Sequence, residues 1–220
     1  MGQKSDTPIL AHRGEDLSLK HLNNNLLCAL RIDKTGPKPR YDDLIEIAVV
    51  PINNEFKPMR GIIPFLQTVA PKRKWNLQER IESGEIKNVK QVMECCNTGI
   101  AWDEAQARFD SWFERLNMAR GKKISLLVSE WENDREFVED WLGFETYVEY
   151  FDHRVRDVSI AALYCNDKAD YFAEPCPYPK TYLRYLASQL QLDLPSGQAT
   201  IAEECLMLME VWKRMMKGRF

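Results

Sequence analysis

The 220-residue chain is poor in the residue types on which most binding chemistries depend. Its three histidines are His12, His21 and His153, and its six cysteines, at 28, 95, 96, 165, 176 and 205, include no CxxC pair. That pattern argues against a zinc centre or a disulfide framework and suggests reduced, mostly buried thiols. No run reaches the roughly 20 uninterrupted apolar residues of a membrane helix. The N-terminal stretch is polar and lacks the apolar core of a secretory signal. The expectation is therefore a cytoplasmic protein with no membrane contact. Positive charge is not in excess either: 30 Lys and Arg against 33 Asp and Glu give a net charge of −3. This argues against gripping nucleic acid by bulk charge, but not against a nuclease, because bound divalent ions can supply the positive charge that an acidic cleft lacks.

What is present is the composition of a packed domain, 45% hydrophobic and 29% charged residues, with no internal repeat. Residues 1–24 have no clear period and read as an N-terminal arm; residues 25–220 read as one domain. Asn25–Asp33 is a short apolar run stopped by Thr35-Gly36-Pro37, and Leu44–Val50 is a second, halted by Pro51. Phe56–Val69, interrupted by Gly61 and Pro64, reads as a third strand, so the sheet opens with an antiparallel meander. Helical spacing follows over Asn76–Glu82, Val89–Cys96 and Trp102–Met118. Lys123–Ser129 reads as a fourth strand, and a helix runs through Arg135–Leu142 to a capping Gly143. Thr146–Phe151 reads as a fifth strand, and Val155–Tyr164, Lys180–Leu190 and Ala199–Met216 as helices. The sum is an α/β fold with a mixed five-stranded sheet, meander first and parallel strands after, flanked by helices.

Within this order, several strings resemble the DEDD-type 3′–5′ exonucleases, whose fold is ribonuclease H-like. The family's first motif, D-x-E-x-T-G, falls on Arg31-Ile32-Asp33-Lys34-Thr35-Gly36, followed by Glu46 in a strand similar to the family's I-E-I-A. The second motif precedes a helix and falls on the segment containing Asp134. Tyr150–Ser159, with Asp157-Val158-Ser159, resembles the Y-R-x-x-D-V-S segment. The third motif, H-x-A-x-x-D, falls on Ala199–Glu204. The similarity runs from about Asn25 to Met216.

The resemblance implies a nuclease centre in which two acids, spaced by two residues on a strand, share one face of the sheet. They join two further acids to hold a pair of divalent ions about 4 Å apart, with a histidine as general base. Here those slots hold Arg31, Asp33, Asp134 and Glu204, with Ala199 in the place of the base. A one-residue shift would put Gln198 there, and an amide takes up no proton near neutral pH. The first acid of the motif bridges both ions in the family. An arginine there changes the local charge by two units, and unit charges about 4 Å apart interact by ~4 kcal/mol even at an effective dielectric near 20. Either Arg31 is an internal cation for the neighbouring acids, or it points to solvent at a frayed strand end.

The resulting expectation is a degenerate exonuclease-like protein, impaired or inactive, that serves as a binding module for nucleic acid or a protein partner. Any Mg or Mn would be held weakly by Asp33, Asp134 and Glu204. One alternative is an active metal-dependent 3′–5′ exonuclease that recruits Asp42, Asp43 or Glu130. Another is an inhibitor whose acidic stretch, Glu130 to Asp140, imitates nucleic acid before a basic partner. Lys72, Arg73, Lys74 and Trp75 combine positive charge with an aromatic, a chemistry suited to phosphates and stacked bases, although such a run is also common as a solvated loop. Tyr147, Tyr150 and Phe151 read as core rather than stacking platforms, and His153 has no acid at a diagnostic spacing.

Overall fold

In the computed structural model, residues 25–73, 77–194, 197 and 199–217 are described. The arm 1–24, Lys74, Trp75 and Gln198 therefore lie outside the described residues.

β1 (Leu26–Lys34), β2 (Leu44–Pro51) and β3 (Phe65–Thr68) form the antiparallel meander. β4 (Ile124–Val128) and β5 (Arg156–Asp157) add in parallel, giving the order β3-β2-β1-β4-β5. The central strands carry near-continuous apolar runs because both of their faces are covered. Alternation along β1 divides the core. Cys28, Leu30 and Ile32 pack with α3 (Trp102–Arg115), α4 (Trp131–Leu142) and α5 (Phe144–Tyr150). Leu27 and Ala29 pack with α6 (Val158–Tyr171), α7 (Leu183–Gln189) and α8 (Ile201–Met216). Two short helices, α1 (Leu77–Glu82) and α2 (Val89–Thr98), close a smaller cluster around Ile45.

The α/β class, the five strands and the meander agree with the sequence reading. Two strand assignments do not. The third strand spans only Phe65–Thr68, because Phe56 takes a left-handed φ of 57° in the turn that Asn53 closes through its side-chain Oδ1, which accepts from the amides of Glu55 and Lys57. Thr146–Phe151 is not a strand: its aromatic residues at 147, 150 and 151 have helical i, i+3, i+4 spacing. Tyr147 and Tyr150 lie on α5, where Tyr150 stacks on Phe113 at 4.0 Å, and Phe151, the extended residue that ends the helix, meets Tyr147. The fifth strand is instead the pair Arg156–Asp157, too short to announce itself by pattern. The helix expected from Arg135 begins at Trp131, so Asp134 stands in the first turn of α4 rather than in a preceding loop.

Candidate functional site

The ends of β1 and β4 and the starts of α4 and α8 converge on one cluster of charge. Arg31 points toward α8, as the alternation along β1 requires. Its Nε donates to Glu204 Oε2 at 3.0 Å and its Nη2 stands 2.9 Å from the same oxygen, while its Nη1 lies 3.4 Å from the carbonyl oxygen of Ser129 and 3.9 Å from Asp134 Oδ2. Burial opposes the charge on this guanidinium, but Glu204 and Asp134 outweigh it, and its pKa stands above the ordinary arginine value. The internal-cation alternative is the one the geometry shows; Arg31 does not point to solvent.

A second cation reaches the same acids. Lys34 follows Ile32 on the alternation of β1 and so faces the side that α4 covers. Its Nζ donates to Asp134 Oδ1 at 2.6 Å and to the Asn133 carbonyl at 2.9 Å, and sits 4.8 Å from the centre of the Phe137 ring. Burial raises the Asp134 pKa, and Lys34 and then Arg31 pull it back part of the way. Arg184 Nε stands 3.9 Å from the other oxygen of Glu204.

Asp33 turns to different company. Its register partner across β2 is Glu46, and Gln91 Nε2 from α2 donates to both carboxylates at 2.7 Å. Burial, with Asp33 so near, raises the Glu46 pKa. Ala199 is buried just ahead of the α8 N-cap, where Thr200 and Glu203 form a reciprocal capping box. Its side chain offers no base.

A cleft of about 420 Å³ opens over this cluster, lined by Arg31, Asp33, Lys34, Glu130, Asn133 and Asp134 among others. The donor set does not fit the pair of divalent ions that the resemblance implies. One oxygen of Asp134 and one of Glu204 already accept from cations, Asp33 is engaged by Gln91, and two positive groups stand where 2+ ions would have to enter. Among the described residues no group of three or more His, Cys, Asp and Glu side chains is placed to hold a metal.

The remaining candidates lie elsewhere. Asp42 is buried and bonded to Arg80, Thr35 Oγ1 and the Lys38 amide. Asp43 accepts from the amide and guanidinium of Arg73, which also reaches Asp140 at 3.1 Å. Arg73 is thus committed to protein acids, while Lys72 sits 5.3 Å from the centre of the Trp102 ring. Glu130 does line the cleft. In the acidic stretch Asp134 is buried, Glu139 pairs with Arg135 at 2.7 Å, and Glu132 and Glu136 are exposed. His153 is exposed.

Sequence reasoning missed Lys34, Glu46, Gln91 and Arg184. Glu46 had a signal, since an antiparallel meander places the β2 acid beside Asp33, the acid of β1. Lys34 had the alternation of β1, which puts it on the face of Ile32, but nothing local to show that Asp134 stands there.

No family model and no curated protein matches the chain. Among solved structures, the nuclease domain of 3′hExo, a DEDDh family member bound to rAMP, superposes with a TM-score of 0.58 at 15% identity, covering 89% of this chain and 93% of that one. The cell-death related nuclease CRN-4 gives 0.58 at 14% identity, with 89% and 64% covered. Exonuclease I of E. coli, in complex with a dT13 oligonucleotide, also gives 0.58 at 14%, with 86% and 40% covered. The chain has the fold of the DEDD-type 3′-exonucleases.

Proposed function

We propose that this chain is an exonuclease fold in which fixed cations have taken over the place of the catalytic ions, so that it binds without hydrolysing. One observation carries the reading: the Arg31 guanidinium bonded to Glu204 and standing beside Asp134. Together with Lys34 it ties β1, β4, α4 and α8 at the point where metals would otherwise join them. A metal-coordinated hydroxide needs both a bridging acid and a base, and Arg31 and Ala199 supply neither. The cleft over these ion pairs remains open, and the likeness of the fold to nuclease structures favours nucleic acid as its ligand, with a protein partner the alternative. The structural neighbours seen with rAMP and with dT13 are consistent with this choice.

The test is a nuclease assay on short end-labelled DNA and RNA oligonucleotides with Mg²⁺ and with Mn²⁺. No nucleotide release is expected, while binding persists in EDTA. Release that disappears in Asp134→Ala would overturn the reading. It would favour the second one, an active enzyme that recruits Glu130, the one acid of the three proposed recruits that lines the cleft.

A further inference from the structure

Away from this cleft, the outer edge of the sheet carries a feature that the proposed function does not use. β3 pairs with β2 on one side only. The Val69 amide donates to the Ile45 carbonyl at 2.8 Å, which makes 45 and 69 a hydrogen-bonded pair, and the register places Gln67 and Phe65 in the same class. Alternation then turns the backbone groups of Leu66 and Thr68 outward. The Thr68 carbonyl accepts from the Ile100 amide at 3.2 Å, which caps that end of the edge. The outward N–H and C=O of Leu66 and the N–H of Thr68 have no partner among the described residues.

The edge at Leu66 and Gln67 borders a groove of about 1030 Å³ between β3 and α3. Ile63 is 73% exposed and Leu66 51% exposed, and Ala107 and Trp112 line the helical side. Trp112 Nε1 donates to the Ile63 carbonyl at 2.8 Å, which fixes the wall. At the Gln67 end, Arg108 is held by Glu104 at 2.6 Å and by Gln67 Oε1 at 3.2 Å. Arg115 bonds only to the Ser111 carbonyl and has no acid partner among the described residues. Glu114 is on the same rim, within electrostatic reach of Tyr150.

We infer that this groove receives an extended peptide that adds to β3 as a sixth strand. Apolar side chains at alternate positions would lie on Ile63 and Leu66, and an acidic group would face Arg115. A free strand edge beside a helix makes a slot one strand wide, with backbone donors and acceptors for affinity and alternate side chains for specificity. A second copy fits it poorly, since its β3 would bring its own α3 into the same slot. Nucleic acid fits poorly too, because the outward groups match the spacing of a polypeptide backbone and the rim is not an excess of positive charge.

The test pans a displayed library of random peptides about ten residues long against the full chain, then measures synthesised winners by fluorescence anisotropy. The expected winners alternate apolar residues and carry an acid, and on binding they slow amide exchange at Leu66 and Thr68. Leu66→Pro removes an outward donor that the β2 ladder does not use, which an edge strand tolerates. It should weaken binding about tenfold. If that variant does not fold, the exposed Arg115→Glu decides, with a loss of about fivefold expected. No enrichment, or binding indifferent to these changes, overturns the inference. So does a dimer broken by Leu66→Pro, or an oligonucleotide that competes for the groove.

Discussion

Two acid-centred structures meet at the end of β4 and do opposite things with their carboxylates. Asp157 accepts from the amides of Ser159 at 2.8 Å, Trp131 at 2.7 Å and Glu130 at 3.2 Å, so one buried side chain both caps α6 and shapes the turn into α4. That turn places Glu130 in a left-handed conformation, φ 58°, and sets the direction of Asp134. A few ångströms away, joined to it through the Ser129–Ser159 hydroxyl contact at 3.1 Å, the acids around Arg31 are neutralised by side-chain cations. Of the positions that resemble the family's motifs, Asp157-Val158-Ser159 and Thr35-Gly36 hold backbone, whereas Asp134, which also matches, is held by Lys34 beside Arg31. The contrast is between an acid that organises backbone and acids that pair with side-chain cations.

The largest expected effect tests the scaffold side of that contrast. Asp157→Ala leaves the amides of Ser159 and Trp131 without their acceptor and Glu130 with only the Ser159 hydroxyl, and hydrogen bonds to a charged group in a buried setting are worth enough that about 4 kcal/mol should be lost. For a domain of this size that lowers Tm by roughly 10 °C, readable by circular dichroism. A change below about 3 °C would mean that water replaces the carboxylate and that Asp157 is not what organises the turn. On the other side, Arg31→Ala strips the main cation from Glu204 and should cost about 3 kcal/mol. The paired change Arg31→Met with Glu204→Gln should cost less than about 1 kcal/mol, because no charge is left stranded. Arg31→Asp sharpens the comparison further: isothermal titration should show Mn²⁺ binding in the variant that the parent lacks. Equal Mn²⁺ affinity in both would mean that Arg31 does not govern ion entry.

Gly36 supplies a smaller effect of the scaffold kind. A Cβ built there would stand 2.6 Å from Asp42 Oδ1, and that carboxylate cannot retreat, since Thr35, the Lys38 amide and Arg80 all hold it. Gly36→Ala should destabilise by about 2 kcal/mol, measured by urea unfolding with an unchanged slope. Gly36 is thus required by its close approach to the Asp42 carboxylate.

How much of this could be read from the chain alone follows from the range of each interaction. β1, β2 and β4 were legible because apolar runs bounded by turn residues state a buried strand locally. So was the convergence of Arg31, Asp134 and Glu204, through the order of the motifs. α5 was misread because a seven-residue aromatic segment satisfies strand propensity and helical spacing together, and only packing against Phe113 chooses. Lys34 was missed because alternation gives its face, but its partner Asp134 is known only once α4 is placed. The partnership of Asp33 with Glu46 and Gln91 needed the strand register and the placement of α2, both tertiary facts. Arg73 shows the reverse error: a basic run reads as a surface for phosphate until its acids, Asp43 and Asp140, are located in space.

The smallest effect lies at the opposite end of β4, where an acid holds neither a catalytic place nor a motif position. Asp152 accepts from the Asn25 amide group at 2.7 Å and from the backbone and guanidinium of Arg154, and the Arg154 contact lowers its pKa from 3.8 to about 2. Because the folded value is the depressed one, the unfolded chain binds the proton first. The stabilisation is therefore complete above pH 3.8 and drains away as the pH falls through about 2. With Arg154 largely in solvent the contribution is screened to about 1 kcal/mol. Asp152→Asn should flatten the unfolding midpoint between those two pH values by that amount and leave it unchanged in shape near neutrality. If the variant kept the full acid dependence of the parent, the titration would belong to other carboxylates, and the Asp152 pair would be a surface contact of no consequence for the fold.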